Sequence, residues 1–406
     1  MSDQKRLIGN FSAMGFLQIM NNALPFVTLP YLVRVLNPEG YGVFLFSQAF
    51  IAYFIMFTDF GFELSATREV SLNRNDKMKL SEIVSSVLII KFTLAVVSFV
   101  ILMSALLFVP SLREYWQIHI LTFLMVFGNI LLSFFFYQGI EKMKFIAFIN
   151  AGVKLFFTIL IFIMVKNNDD LYLVPTINSI GYIIAGMISI YLIKRMGIEL
   201  QIPKRETLIQ HFRNSLQFFW SRVSVSLYTT SNTFVIGLIL GPTAAGIFGA
   251  AEKLLNGLSS LYGPLSSVLY PYLTYSKNIQ LYKKFLYSIV VLNTLMSIIL
   301  FWQSELIIKI IFGPNYIDSV YILKIMSLAV IFVVPGIMMG YPLFSAFNKT
   351  SFVNKTVIYP SIMHILILLI IIPVITIDKI AWLLVFTHVT VFLGRAIGAY
   401  RYKLLK

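Results

Sequence analysis

The sequence predicts an all-α integral membrane protein of about twelve transmembrane helices, arranged in two six-helix lobes related by a parallel pseudo-twofold repeat. Of its 406 residues, 58% are hydrophobic and only 12% are charged, whereas soluble domains carry about 25% charged residues. Long apolar runs recur at roughly the 20-residue length that crosses a bilayer. Runs such as SSVLIIKFTLAVVSFVILMSALLFV lack the in-out alternation of a β-barrel strand, so helices are predicted.

Hydropathy places the spans in sequence order with short connections between them. They are predicted at residues 7–35, 43–66, 83–109, 117–139, 144–165, 171–193, 215–240, 244–272, 284–306, 319–346, 355–376 and 379–402. Lys5 and Arg6 precede the first span, which lacks a small-residue cleavage site, so we expect a retained helix rather than a signal peptide. Most loop Lys and Arg residues then fall on one side, which predicts that both termini are cytoplasmic.

The second half of the chain resembles the first half. The stretch RVLNPEGYGVFLFSQ around Pro38 and Gly42 matches LILGPTAAGIFGAAE around Pro242 and Gly246. A small adjustment aligns YQGIEKMKF with LFSAFNKTS, between later spans. The shift equals six spans, so both halves point the same way across the membrane and residues 1–200 and 201–406 are predicted to form the two lobes. Such a pair of lobes suits alternating-access transport.

Several classes of function are excluded by residues that the chain lacks. It has no cysteine, which removes disulfides and thiolate metal sites. The four histidines show no metal-ligand spacing, and the chain contains neither a Walker loop nor GxGxxG. We therefore expect no metal, no cofactor and no enzymatic activity. The net charge of +15 lies mostly in loops, where membrane topology explains it without nucleic acid.

Ionisable side chains inside spans are costly and usually face a cavity. Six cations fall within the predicted spans: Lys91, Lys154, Arg222, Lys253, Lys324 and Arg395. The first four lie deep and are predicted to give a cationic cleft for an anionic substrate, although Lys253 could instead pair with Glu252. Lys324 and Arg395 are expected to snorkel to an interface or to pair within the membrane.

The seventh span, NSLQFFWSRVSVSLYTTSNTFVIG, is too polar to face lipid. It surrounds Arg222 with small and polar residues, and its counterpart in the repeat is the first span. Both spans are predicted to line the cleft, with a polar helix interface as the alternative. The polar residues expected to line the cleft are Gln18, Asn21, Asn22, Tyr228 and Asn232.

The stretch FTDFGFELSATRE, at 57–69, places carboxylates near the end of an apolar span. Asp59 and Glu63 are four residues apart and would share one face of a continuous helix. Counted at ~1.5 Å per residue, Asp59 lies inside the membrane and Glu63 at the cytoplasmic boundary with Arg68 and Glu69. We expect Asp59, Glu63 and Glu252 to act as gate or ion-coupling residues.

Residues 29–70, LPYLVRVLNPEGYGVFLFSQAFIAYFIMFTDFGFELSATREV, strongly resemble the start of Wzx-type polysaccharide-biosynthesis flippases, which handle O-antigen repeat units. These belong to the MOP superfamily, which also contains the MATE multidrug exporters and the lipid II flippase. The specific match covers these residues, and the predicted twelve-span, two-lobe layout covers the whole chain.

The resemblance implies a flippase in the bacterial inner membrane. Its substrate would be an oligosaccharide repeat unit on undecaprenyl pyrophosphate, for O-antigen or related polysaccharides. Implied partners are membrane lipids, a polysaccharide polymerase and a chain-length regulator, with H⁺ or Na⁺ coupling also open. A MATE-like multidrug or cation exporter is the nearest alternative, although the spans carry more cations than carboxylates. A polysaccharide polymerase and a structural membrane scaffold are the more distant ones.

Overall fold

The structure, a computed structural model, describes residue 24 and residues 26–260 and 262–405; the side chains at 221, 222, 224–229, 264, 267, 268, 271, 272 and 276 lie outside this description. Every regular element in the described part is helical. The helices used below are α1 (Phe26–Val35), α2 (Asn37–Asp59), α3 (Phe62–Leu72), α4 (Lys77–Phe108), α5 (Trp116–Leu132), α6 (Phe134–Gly139), α7 (Met143–Met164), α8 (Leu173–Arg195), α9 (Arg205–Ile239), α10 (Pro242–Ser260), α11 (Tyr262–Ser276), α12 (Ile279–Trp302), α13 (Ser304–Ile311), α14 (Ser319–Met338), α15 (Thr350–Ile371) and α16 (Ile377–Arg401).

In the part of the chain that the structure describes, nine helical segments are long and apolar enough to cross a membrane. They coincide with the second to sixth and the ninth to twelfth predicted spans. Helices α1, α9, and α10 with α11 occupy the places of the remaining three predicted spans. The chain is therefore a multi-pass, all-helical membrane protein, as the sequence predicted.

Helix ends follow the local sequence. The Asp76 side chain caps α4 by accepting a hydrogen bond from the Lys79 backbone N–H at 3.0 Å. Pro38 stands in the first turn of α2 and Pro242 begins α10, positions where a missing N–H costs nothing. Helix α5 ends at Ser133, whose φ of 47° is left-handed, and α6 continues beyond it.

The described residues form two compact units. The first contains the residues up to Leu36 and Val43–Ser226, and the second contains Asn37–Gly42 and the chain from Leu227 onward. Helices α2 and α9 therefore each contribute residues to both units.

In the first unit, α5 and α8 pack closely because small side chains line their interface. The Ser179 hydroxyl donates to the Leu121 carbonyl at 2.6 Å, and the Ser189 hydroxyl donates to the Leu132 carbonyl at 2.8 Å. In the second unit, Ser297 on α12 donates to the Ser327 carbonyl of α14 at 2.6 Å. Small residues and interhelical hydrogen bonds hold helices together where lipid removes the hydrophobic driving force.

Two local features repeat between the halves. Each of Glu141 and Asn348 adopts a left-handed φ of about 60°. The next residue's N–H then bonds the carbonyl five residues back, Lys142 to Tyr137 and Lys349 to Phe344, both at 2.8 Å. The predicted alignment of this loop, which set Tyr137 on Leu343, was wrong by one residue because it followed side-chain similarity rather than the turn.

The matching Pro-x-x-x-Gly segments of α2 and α10 contact each other reciprocally. A side-chain carbon on Gly42 would overlap the Pro242 carbonyl oxygen, and one on Gly246 would overlap the Pro38 carbonyl oxygen. Only glycine permits backbones to approach this closely. The pairing of Gly42 with Gly246, found first as a sequence repeat, is thus also a contact within the second unit.

Candidate functional site

The stretch 57–69 contains a sharp joint rather than one continuous helix. Helix α2 ends at Asp59, and the next two residues are left-handed, with φ of 43° at Phe60 and 78° at Gly61. Helix α3 then begins at Phe62. The predicted continuous helix through Asp59 and Glu63 was wrong because glycine allows the chain to turn here.

One side of this joint holds a buried ion pair. The Lys91 ammonium, in the middle of α4, donates to the Asp59 carboxylate at 2.7 Å. The two side chains are 6% and 17% exposed respectively. The structure thus joins two residues to which the sequence had given separate roles, a substrate-binding cation and a gating carboxylate.

A cavity of about 150 Å³ adjoins the ion pair. Its lining residues are Asp59, Glu63, Lys91, Asn129, Phe134 and Phe135. The volume is enough for several water molecules or a small ion. Asp59 and Glu63 therefore do meet, although through a joint rather than along one helix face. Two carboxylates and one ammonium give this cavity a formal charge of −1 when all three are ionised.

The other side of the joint packs on the first half of α9. The Phe60 ring lies between the rings of Phe212 and Phe219, stacked at 4.4 Å and 4.6 Å between centroids. A side-chain carbon on Gly61 would come within 2.9 Å of the Ser215 carbonyl oxygen. The Ser65 and Ser215 hydroxyls are hydrogen-bonded at 2.6 Å. The joint therefore connects the cavity to the helix that continues into the second unit.

Glu69, at the cytoplasmic end of the predicted span, also contacts α9. Its carboxylate lies 2.7 Å from His211 Nδ1 and accepts from the Asn214 side-chain amide at 3.2 Å. This residue was predicted to be an interface or capping residue, and it is a docking residue for α9.

Lys154 lies in the middle of α7 and is half-buried. Its ammonium lies 5.9 Å from the centre of the Tyr182 ring, on α8, within the range of a cation–π contact. Tyr182 is a partner that the sequence did not reveal.

The polar residues of the second unit form a separate cluster. The Thr233 hydroxyl donates to the Glu252 carboxylate at 2.8 Å, and Lys253 follows on α10, half-buried. Asn232 is fully buried, and its side-chain oxygen lies 2.9 Å from His364 Nε2. His364 is a further site residue that its lone position in an apolar span did not reveal.

Several residues predicted for the cleft lie outside the described part of the structure. For Gln18, Asn21 and Asn22 this holds for the whole residue, and for Arg222 and Tyr228 it holds for the side chain.

Arg395 does not snorkel. Its guanidinium is buried and donates to the Gly336 carbonyl at 2.6 Å and to the Thr356 hydroxyl at 3.2 Å. Gly336 lies in the last turn of α14, where helix carbonyls need partners from outside the helix. The sequence predicted either snorkelling or pairing within the membrane. The snorkelling alternative was wrong, because the guanidinium is buried and finds acceptors inside the helix bundle. Lys324 lies 6.0 Å from the Phe301 ring centre.

Comparison with known proteins identifies the family. The family model described as "Polysaccharide biosynthesis protein" matches residues 7–277, which is most of the chain. The chain belongs to this polysaccharide biosynthesis family. An O-antigen transporter, so named, of Escherichia coli (strain K12) is 32% identical over 329 residues, which cover 78% of this chain and 78% of that protein.

Solved structures with a similar fold were also found. The lipid II flippase MurJ, in an inward closed conformation, superposes with a TM-score of 0.74 at 15% identity, covering 96% of this chain and 87% of that one. An inward-facing multidrug resistance MATE family transporter of the MOP superfamily gives 0.67 at 14% identity, covering 96% and 95%. The chain therefore has the fold of these transporters, as the sequence predicted.

Within this family fold, sequence patterns revealed the charged residues of the cavity but not their neutral neighbours. Asn129 lies in the apolar run LMVFGNILLSFFF, where a single amide side chain forms no motif with other polar residues. The left-handed Ser133 four residues later ends α5 and brings Phe134 and Phe135 to the cavity. The sequence signal that could have indicated Asn129 as a cavity residue is its position as a polar residue just before the helix break at Ser133.

Proposed function

We propose that this chain is a flippase for undecaprenyl-pyrophosphate-linked oligosaccharide repeat units, which it moves from the cytoplasmic to the outer leaflet for O-antigen or related surface polysaccharide. The observation that carries this proposal is membership of the polysaccharide biosynthesis family, together with the Escherichia coli relative named as an O-antigen transporter. We place the chain in the bacterial inner membrane with both termini cytoplasmic, in keeping with its positive-inside bias.

Transport is proposed to proceed by alternating access of two lobes, residues 1–200 and 201–406. Arg222, Lys154, Lys91 and Lys253 are proposed to bind the pyrophosphate. Arginine suits phosphate through its planar pair of donors, whereas lysine contributes a point charge. Gln18, Asn21, Asn22 and Tyr228 are proposed to contact the sugars, while the lipid tail stays in the bilayer. Asn232, which the sequence also predicted to line the cleft, is fully buried against His364 and is not proposed as a sugar contact.

The ion pair gives Lys91 a specific role. Its ammonium lies 2.7 Å from Asp59 and is already paired, so we propose that a phosphate binds it by displacing that carboxylate. Displacement leaves Asp59 beside Glu63 in the same cavity, and two adjacent carboxylates favour uptake of a proton or a sodium ion. Asp59 and Glu63 are therefore proposed as the gate, and substrate binding as the event that opens it.

The membrane potential supplies a driving force for the anion. An inside-negative potential favours outward movement by about 2.3 kcal/mol per charge per 100 mV. For the roughly two charges of a pyrophosphate this gives about 4–5 kcal/mol. Coupling to H⁺ or Na⁺, through Asp59, Glu63 or Glu252, would add to this. Delivery to a polysaccharide polymerase and a chain-length regulator on the outer side completes the proposed route, without catalysis by this chain.

Genetic complementation tests the function. A host lacking its own flippase should regain surface polysaccharide when it expresses the native chain, and it should stop accumulating lipid-linked repeat units. Drug resistance without polysaccharide would instead indicate a MATE-like exporter. Export of unpolymerised units in the deletion host would indicate a polymerase, and unchanged lipid-linked pools in that host would indicate a scaffold.

A further inference from the structure

His364 is enclosed by polar groups from two other helices. It lies in the middle of α15, and its Nε2 is 2.9 Å from Asn232 Oδ1 on α9. Its Nδ1 is 2.7 Å from Thr387 Oγ1 on α16. His364 and Asn232 are 0% exposed and Thr387 is 1% exposed. The three side chains form a built polar site inside a predominantly apolar helix bundle.

The protons in this site can be assigned from the hydrogen bonds. The Thr387 hydroxyl donates to the Leu383 carbonyl at 2.8 Å, as Thr side chains commonly do within helices. Its oxygen is then an acceptor toward Nδ1, and Asn232 Oδ1 is an acceptor toward Nε2. A neutral imidazole has one N–H, whereas the imidazolium has two. With its two acceptors facing Nδ1 and Nε2, the site can accept both N–H groups of an imidazolium.

The Asn232 amide also provides for the neutral ring. Its Nδ2 is buried and has no hydrogen-bond partner among the described residues. Rotation of the amide would turn this N–H₂ group toward Nε2 when the ring has lost its proton. A buried unpaired donor costs about 1–3 kcal/mol, so the rotation stabilises the neutral state. One asparagine thus serves both charge states.

We propose that His364 is a proton-binding site and that Asn232 transmits its charge state to α9. Helix α9 contributes residues to both units. Protonation of His364 in the second unit therefore acts, through Asn232, on the helix whose first half packs on the joint at Phe60 and Gly61 in the first unit. The link to transport rests on the proposed flippase function, but proton binding does not.

Other titratable and charged groups lie on the helices that contribute to this site or neighbour it in sequence. His388, the residue after Thr387, interacts electrostatically with His364. Arg395 on α16 is held by Gly336 and Thr356, and on α10 Glu252 accepts from Thr233, with Lys253 beside it. Glu252 is linked to the site through α9, because its hydrogen-bond partner Thr233 directly follows Asn232.

His119, the buried histidine of the first unit, provides a matched control. Its Nδ1 lies 2.6 Å from Ser47 Oγ, but its Nε2 is buried without a hydrogen-bond partner in the described structure. The rings of Phe46 and Phe50 stand edge-on to it. An imidazolium here would bury an unpaired N–H, so His119 is expected to stay neutral.

Nitrogen-15 NMR of the full chain in lipid bilayers, labelled only at histidine, tests the proposal directly. The chain has four histidines, and His364→Gln and His119→Gln assign the two signals of interest. Between about pH 4 and pH 8, on either side of the ordinary histidine value of about 6.5, His364 should pass from two ring N–H groups to one. His119 should keep one throughout. A single N–H on His364 over the whole range would overturn the proposal.

A second variant tests the role of the asparagine. Asn232→Asp puts a carboxylate beside Nε2 and should hold His364 doubly protonated across the same range; a His364 signal that still loses its second proton there would contradict the assigned contact. In proteoliposomes, the native flipping rate should change up to about tenfold per pH unit, as one proton permits, and His364→Gln should reduce this to less than about twofold.

Failure of the proton site and failure of the proposed flippase function give different experimental results. Loss of the pH dependence of flipping in His119→Gln but not in His364→Gln would reject the link to transport while leaving the NMR result standing. A titrating His364 in a chain that flips no lipid-linked oligosaccharide would reject the proposed function and keep the proton site. A His364 that does not titrate, in a chain that flips lipid-linked oligosaccharide, would reject the proton site and keep the proposed function.

Discussion

The two units bury polar groups in different ways. In the first unit, Asp59 and Lys91 form an ion pair beside a cavity. In the second, Asn232, His364 and Thr387 are joined by hydrogen bonds between side chains that carry no fixed charge. The ion pair is disrupted when another ion competes for Asp59 or Lys91. The hydrogen-bonded cluster changes when His364 binds a proton.

This difference matters because the halves share a common layout. They repeat helix order, the turn before α7 and α15, and the glycines of α2 and α10. Yet the charged pair occurs at a joint of the first half, and the histidine cluster occurs on different helices of the second. A repeated scaffold thus carries unlike chemistry in its two halves, a charged pair beside a cavity in one and a hydrogen-bonded histidine in the other.

Breaking the ion pair should give the largest effect on stability. Asp59→Asn leaves the Lys91 ammonium buried without its carboxylate, and removing one partner of a buried pair costs about 3–5 kcal/mol. Thermal or denaturant unfolding in detergent measures this loss. The double variant Asp59→Asn with Lys91→Met should recover most of it. A double variant no more stable than Asp59→Asn would show that the pair is not the stabilising contact.

Removing the buried cation of the second unit should cost less. Arg395→Met loses hydrogen bonds to the Gly336 carbonyl and the Thr356 hydroxyl, both of which are neutral acceptors. A hydrogen bond from a charged group contributes about 1.5–3 kcal/mol. The short bond to Gly336, at 2.6 Å, should account for most of the effect, because the bond to Thr356 is long at 3.2 Å. We therefore expect the free energy of unfolding to fall by about 1.5–3 kcal/mol. A cost equal to that of Asp59→Asn would mean that Arg395 also compensates a buried carboxylate, which would weaken the contrast between the units.

The joint itself should tolerate little change. Gly61→Ala places a side chain at φ of 78°, in contact with the Ser215 carbonyl and Phe218 on α9. Backbone strain of this kind costs about 1–3 kcal/mol. Gly152→Ala is the matched control, since no atom lies within 4 Å of the added carbon and alanine favours helix. Equal melting temperatures for the two variants would contradict the close packing of α9 on the joint.

A neutral hydrogen bond of the second unit should give the smallest effect. Thr387→Val removes the Oγ1 atom near His364 Nδ1 while preserving side-chain shape. The expected loss in unfolding free energy is about 1 kcal/mol, the typical net value of one such bond. A loss above about 3 kcal/mol would indicate that His364 is charged under the conditions of measurement and depends on this acceptor.

Sequence patterns predicted the helical spans well, because membrane helices are set by length and composition, both of which are local. They also found the buried charges, since an ionisable residue in an apolar run stands out. They did not find the joint at Phe60 and Gly61, because two left-handed residues leave no periodic signal. Nor did they pair Asp59 with Lys91 or Asn232 with His364, since each pair joins helices that are far apart in sequence.

Flipping by purified protein in proteoliposomes tests the central claim most directly, with undecaprenyl-pyrophosphate oligosaccharide as substrate. The native chain, Lys91→Arg and the double variant Asp59→Asn with Lys91→Met should all be folded. Lys91→Arg keeps the charge and should retain flipping. The double variant lacks the ammonium and should flip at least about 100-fold more slowly, the equivalent of about 2.7 kcal/mol. Flipping at the native rate by the double variant would contradict the exchange of Asp59 for a phosphate at Lys91.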